Sequence, residues 1–156
     1  MLRVFVDSDH AGNKATRRPR TGYIQLINMA PIAWYSKKQG SIEGSTFGSK
    51  FVAIKTAMEA NRAMRYKLRM MGVPIDGPTY TYCDNQSVVS NTSNPESMLK
   101  KKSNSIAYHA AREAVAMGEM LITYVPTNNN IADLMTKVLP GGEKRDRLIE
   151  GIMWDI

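Results

Sequence analysis

The sequence predicts one α/β domain on a mixed five-stranded sheet, three antiparallel strands followed by two parallel ones, flanked by helices. Three observations predict it. Three strand-like runs open the chain in succession, and the later ones alternate with helical patterns, an order that builds a mixed sheet with right-handed crossovers. The 156 residues, 43% of them hydrophobic, suffice for one sizeable core and are too few for two. Aspartates fall where strands end, at the edge where open α/β sheets bind ligands.

Leu2 to Val6 is apolar and β-branched and stops at Asp7-Ser8-Asp9; a polar, basic stretch from His10 to Arg20 follows. That reads as a strand and a loop. Thr21 to Met29 and Pro31 to Lys38, joined through Asn28-Met29-Ala30-Pro31, read as an antiparallel hairpin. From Ser45 or Thr46, either of which can N-cap, Phe47, Phe51, Ile54 and Met58 recur at helical spacing until about Met71, where Gly72 and Pro74 stop the pattern. This predicts a long amphipathic helix whose Lys55, Arg62, Arg65, Lys67 and Arg69 form a solvated outer face. Thr79 to Cys83 is a fourth strand ending at Asp84, and Gln86 to about Ser93 is a short helix broken by Asn94-Pro95. Ser105 to Met117 is a helix closed by Gly118, and Met120 to Val125 is a fifth strand. After a polar turn from Thr127 to Asn130, Ile131 opens a helix to about Val138, and Glu143 to Met153 adds a last one. Residues 1–140 are read as the domain and 141–156 as its C-terminal helical extension.

Lys and Arg number 21 against 14 Asp and Glu, a net charge of +7. This favours a polyanionic partner, with nucleic acid the commonest, and says nothing of fold. The single cysteine, Cys83, excludes an intrachain disulfide and a Cys-based zinc site, and fits a reducing compartment. No apolar run approaches about 18 residues and the N-terminus lacks a signal-peptide pattern, so no membrane partner is expected.

Asp7 ends the first strand, Asp84 the fourth, and Asp133 lies in the first turn of the helix after the fifth. If strands one and four are parallel neighbours, their ends bring Asp7 and Asp84 together. Clustered carboxylates need cations, and hard oxygen ligands at an open site suit Mg²⁺ or Mn²⁺. Two such ions can activate a water and stabilise the leaving oxygen of a phosphodiester. Strand-end aspartates are also ordinary turn residues, so the words around them decide.

Those words are Phe5-Val6-Asp7-Ser8-Asp9-His10-Ala11-Gly12 with Arg17-Arg18 and Thr21-Gly22-Tyr23; Ile32-Ala33-Trp34-Tyr35-Ser36-Lys37-Lys38-Gln39; Ser45-Thr46-Phe47-Gly48-Ser49-Lys50-Phe51-Val52-Ala53; and Tyr82-Cys83-Asp84-Asn85-Gln86-Ser87. Ala107-Tyr108-His109 with Arg112-Glu113, Tyr124-Val125-Pro126-Thr127 and Ile131-Ala132-Asp133-Leu134-Met135-Thr136-Lys137 complete them. In this order, over about residues 2 to 140, they resemble the RNase H domain of copia-type retrotransposon Pol polyproteins. The resemblance implies an RNase H-like fold and cleavage of the RNA strand of an RNA–DNA hybrid during reverse transcription. It also implies a reverse transcriptase segment in the same polyprotein, and residence in the cytoplasm, within the element's virus-like particle, or in the nucleus. A monomer is expected.

The family site implies two divalent metals, Mg²⁺ or Mn²⁺, on four carboxylates. Carried over residue by residue, three fall on the candidate metal ligands Asp7, Asp84 and Asp133. The other, a Glu in the first turn of the long helix, falls on Lys50. That exchange alters the local charge by two units, removes a ligand and places an ammonium where a cation belongs. Like unit charges 4 Å apart repel by about 4 kcal/mol at an effective dielectric of about 20. Metal binding is therefore expected to be weakened or confined to one ion, and catalysis impaired; the alternative is an inactive module that binds nucleic acid or a protein partner. A shifted register would instead turn Lys50 to solvent and let Glu43 supply the missing oxygen.

Asn85 and Gln86 can hydrogen-bond a 2′-hydroxyl or base edge, or cap the helix they begin. The clusters Arg17-Arg18-Arg20 and Lys100-Lys101-Lys102 can meet phosphates with salt-dependent affinity. His109 can approach a substrate backbone, although a lone histidine beside Ile106, Ala110 and Met117 is more often packed or capping.

Overall fold

The structure, a computed structural model, describes residues 1–9, 18–40, 45–96, 98 and 105–153. His10, Arg17, Glu43 and Lys100 to Lys102 lie outside the described residues. Five strands form one sheet in the order β3-β2-β1-β4-β5, the mixed arrangement expected. β1 spans Leu2–Asp9, running beyond Val6, because Asp7, Ser8 and Asp9 go on pairing with Gly22, Thr21 and Arg20 of β2. β2 (Arg20–Ile27) and β3 (Ala30–Lys38) form the hairpin around Asn28 and Met29. Asn28 takes a positive φ of 57°, which asparagine tolerates better than most side chains.

α1 covers Thr46–Met70, and its N-cap Ser45 accepts a hydrogen bond from the Gly48 amide. β4 (Thr79–Cys83) runs parallel to β1, and β5 (Met120–Tyr124) parallel to β4. α2 (Gln86–Ser93) and α3 (Ser105–Ala116) pack with α1 on one sheet face, around Val4, Val6, Phe51, Ile54 and Tyr108. On the other face Ile24, Leu26, Ile131 and Leu148 form a smaller core beneath α4 (Asp133–Thr136) and α5 (Glu143–Glu150).

Two expectations are corrected. The helix expected from Ile131 to about Val138 is confined to the one-turn α4. Its approach is made of tight amide-to-carbonyl bonds three residues apart, Asp133 to Asn130 and Leu134 to Ile131, the 3₁₀ pattern that does not propagate far, and Lys137 is already extended. Arg65, read as part of a solvated face, is buried: its guanidinium donates to the Gly77 carbonyl and the Thr79 hydroxyl. Among the described residues no helix is long and apolar enough to cross a membrane.

Candidate active site

Three elements deliver three aspartates to one sheet edge. Parallel pairing of β1 with β4 sets Val6 opposite Cys83, so the next residues, Asp7 and Asp84, emerge side by side. α4 reaches the same place because Gly22, the β2 partner of Asp7, leaves room for it. A Cβ on Gly22 would come within 2.6 Å of the Met135 Cβ and the Thr136 Cγ2. Asn130, fully buried, donates from Nδ2 to the Val6 carbonyl at 3.0 Å, and its Oδ1 accepts from the Ala132 amide at 3.2 Å. It thereby ties the start of α4 to β1. The result is a carboxylate oxygen from each of Asp7, Asp84 and Asp133 within 4.8 Å of one another.

Lys50 enters from α1. The helix start is fixed over the sheet by Gln39, whose Nε2 donates to the Ser49 carbonyl and the Thr21 hydroxyl, both at 2.9 Å, and by the Ser8 and Ser49 hydroxyls 3.1 Å apart. Lys50 is only 8% exposed, and its Nζ donates to Asp7 Oδ1 at 3.0 Å and to Asp84 Oδ1. This overturns the shifted register in which Lys50 faced solvent.

Two further lysines close the cluster. The Lys137 Nζ lies 2.6 Å from Asp133 Oδ1 and 3.4 Å from Asp7 Oδ2, and the Lys144 Nζ donates to Asp133 Oδ2 at 2.7 Å. The Thr136 hydroxyl donates to the remaining oxygen of Asp7. Three buried carboxylates thus face three ammonium groups, and the site is neutral without any ion. Burial pushes the Asp7 carboxyl up, but Lys50, Lys137 and Thr136 outweigh it and hold Asp7 below the ordinary carboxylate range. Burial pushes Lys50 down, and Asp7 and Asp84 more than reverse it. Lys137 is held above the ordinary lysine range in the same way, chiefly by Asp7 and Asp133 against its own burial. The three carboxylates are hard donors close enough together to hold a metal ion, and the Lys50 ammonium stands between two of them.

No family model matches the chain. By sequence it is 29% identical over 138 residues to the Retrovirus-related Pol polyprotein from transposon RE1 of Arabidopsis thaliana, and 30% identical over 142 residues to that from transposon TNT 1-94 of Nicotiana tabacum. These matches take in 88% and 90% of the chain, which spans only about a tenth of the length of the curated relatives it matches. In structure it matches RNase H1 from Halobacterium salinarum NRC-1 with a TM-score of 0.63 at 17% identity, over 86% of this chain and 93% of that one. LC11-RNase H1, solved in complex with an RNA/DNA hybrid, matches at 0.66 and 14% identity, over 87% and 94%. The chain is an RNase H-fold homologue of plant-transposon Pol polyproteins.

Within this RNase H-fold chain the other candidate residues divide. Asn85 N-caps α2, accepting from the Val88 amide at 3.0 Å, and Gln86 is exposed beside it. Arg18 is exposed near the start of β2. His109 is exposed on α3 with its ring edge-on to Tyr108, and makes no hydrogen bond to the carboxylates among the described residues. Sequence reasoning missed Lys137, Lys144 and Asn130. For Lys137 the four-residue step from Asp133 was a usable signal; for the others there was none, since each depends on which distant segment packs alongside.

Proposed function

We propose that this chain is the RNase H segment of a copia-type retrotransposon Pol polyprotein, that it binds RNA–DNA hybrids, and that Lys50 leaves its hydrolytic activity weak or absent. One observation carries the reading: the Lys50 ammonium is shared between Asp7 and Asp84 at the position where the family implies a metal-ligating glutamate. A divalent ion, Mg²⁺ or Mn²⁺, would supply an activated water and stabilise the leaving oxygen, and binding at these aspartates is weakened or confined to one ion. Without it, the residues present hold charge and do not move it. Lys50, Lys137 and Lys144 together neutralise the three aspartates, so an approaching phosphodiester meets no net negative charge, and with the chain's net charge of +7 this favours binding of a polyanion. Reverse transcriptase from the same polyprotein is the expected neighbour, in the cytoplasmic particle of the element or in the nucleus, with the domain itself monomeric.

The test is cleavage of a labelled RNA–DNA hybrid in Mg²⁺ and in Mn²⁺ by the wild type, Lys50→Glu, and Lys50→Glu/Asp84→Asn. Cleavage by Lys50→Glu alone is expected. Equal cleavage by the wild type would overturn the disabling role of Lys50, and no cleavage by Lys50→Glu would count against the ribonuclease ancestry of the site.

A further inference from the structure

Beyond the carboxylates, on the far side of Lys137, the sheet edge holds a cavity of about 650 Å³. It opens where β1 and β3 end, β2 begins and the chain leaves α4. Its walls carry four cationic side chains, Arg18, Arg20, Lys38 and Lys137, against one carboxylate, Asp9, with the apolar Val138 and Leu139 along one side. The volume falls within the range of small-molecule and cofactor sites, about 300–1,000 Å³.

The strand register makes the arrangement informative. Arg20 of β2 stands between Asp9 of β1 and Lys38 of β3, so its cross-strand neighbours are one acid and one like charge, the second of which destabilises a sheet. With Arg18 and Lys137 also on the walls, one carboxylate faces four cations, an imbalance that a bound anion would offset. The Arg20 guanidinium donates to the Ser36 hydroxyl at 3.0 Å, which steadies it, whereas Arg18 and Lys38 are exposed and neither makes a salt bridge among the described residues. Lys137, the wall shared with the aspartate cluster, has its ammonium on Asp133 and Asp7.

We propose that this cavity binds a nucleotide unit, its phosphate held by Arg18, Arg20 and Lys38 and its sugar or base lying against Val138 and Leu139, with no divalent ion required. Cationic donors beside an apolar wall match a phosphate ester that carries an organic group better than they match a bare anion. The phosphate belongs either to a nucleic-acid strand passing the aspartates or to a free nucleotide. The strand as source rests on the functional reading above; the cavity's preference for a nucleotide phosphate does not.

Both sources are tested by fluorescence anisotropy in EDTA over a salt series. A labelled single strand and a labelled RNA–DNA hybrid are titrated with the wild type and with Arg18→Gln/Lys38→Gln, two exposed positions, with the urea midpoint as a check on folding. Adenosine 5′-monophosphate serves as competitor and, by calorimetry, as a ligand in its own right. If the phosphate is that of a strand, the double variant binds more weakly, and its plot of log K against log salt flattens by about 0.7 for each single-strand phosphate it no longer neutralises. If it is that of a free nucleotide, the monophosphate displaces the strand from the wild type and binds the variant at least tenfold more weakly. A variant that keeps the wild-type affinity, salt slope and monophosphate binding overturns the cavity inference while hybrid binding by the wild type leaves the functional reading standing. A wild type that binds neither strand nor hybrid sinks the functional reading instead; the cavity inference then survives only if the monophosphate binds and the double variant fails to bind it.

Discussion

Lys50 neutralises two carboxylates with one ammonium, so deleting its charge and reversing it have different consequences. In Lys50→Met the side chain still fills the space, but Asp7 and Asp84, both almost fully buried at their side chains, lose the charge between them. Removing one partner of a buried pair costs about 3–5 kcal/mol, expected as a lower urea midpoint. Lys50→Glu adds a further carboxylate and is expected to be at least as unstable in EDTA. Both variants free the three aspartates of the Lys50 ammonium and should recover with Mn²⁺, Lys50→Glu the more for its added carboxylate and by about 2.7 kcal/mol when the ion stands at 100 times its dissociation constant, while the wild type responds weakly. Melting curves of the three proteins with and without Mn²⁺ check this, and a Lys50→Glu protein indifferent to the ion would mean that the aspartates form no cation site.

At the scale of elements, the site depends on how closely α4 can approach β2. Gly22→Ala would drive a methyl into Met135 and Thr136, and α4 would have to move away from Asp7. Forced overpacking of this kind costs about 1–3 kcal/mol, and here it also breaks the Thr136 hydrogen bond to Asp7. Gly40→Ala, where an added Cβ has nothing within 4 Å, is the matched control and should leave the urea midpoint unchanged. Equal midpoints for the two variants would show that α4 is not held against the sheet as described.

For the whole molecule the buried charges set the pH range of stability. The Asp7 pKa is depressed from an ordinary 3.8, so its contribution is fully present above that value and is lost as pH falls through the lower, folded one. Lys50 and Lys137 are raised from an ordinary 10.5, so theirs is fully present below that value and is lost as pH rises through the folded one. Stability against urea should therefore hold between about pH 4 and pH 10.5 as far as these groups are concerned. Without its ammonium partner Asp7 is easier to protonate in the folded protein and its folded pKa moves back toward the unfolded one, so Lys50→Met, less stable at neutral pH, should lose less further stability on acidification than the wild type and show a shallower acid limb. Superimposable acid limbs would remove Lys50 as the source of the effect.

The alternation and spacing of apolar residues determined the strands and the long helix, because each is a local pattern that can be buried in few ways, whereas the strand order, with β1 beside β4, was decided by the fold. Sequence position also put Asp7 and Asp84 near the C-terminal ends of what became neighbouring parallel strands, and the family resemblance put Lys50 where an acid was expected. Only the tertiary structure decided that Lys50 turns inward, that Lys144 from the last helix reaches Asp133, that Asn130 ties α4 to β1, and that Arg65 is buried. Each of these joins segments far apart in the chain, Asn130 to Val6 across 124 positions, and leaves no periodic trace in either segment. A buried charge or amide must find a partner wherever packing provides one, and that choice is made only when the elements meet.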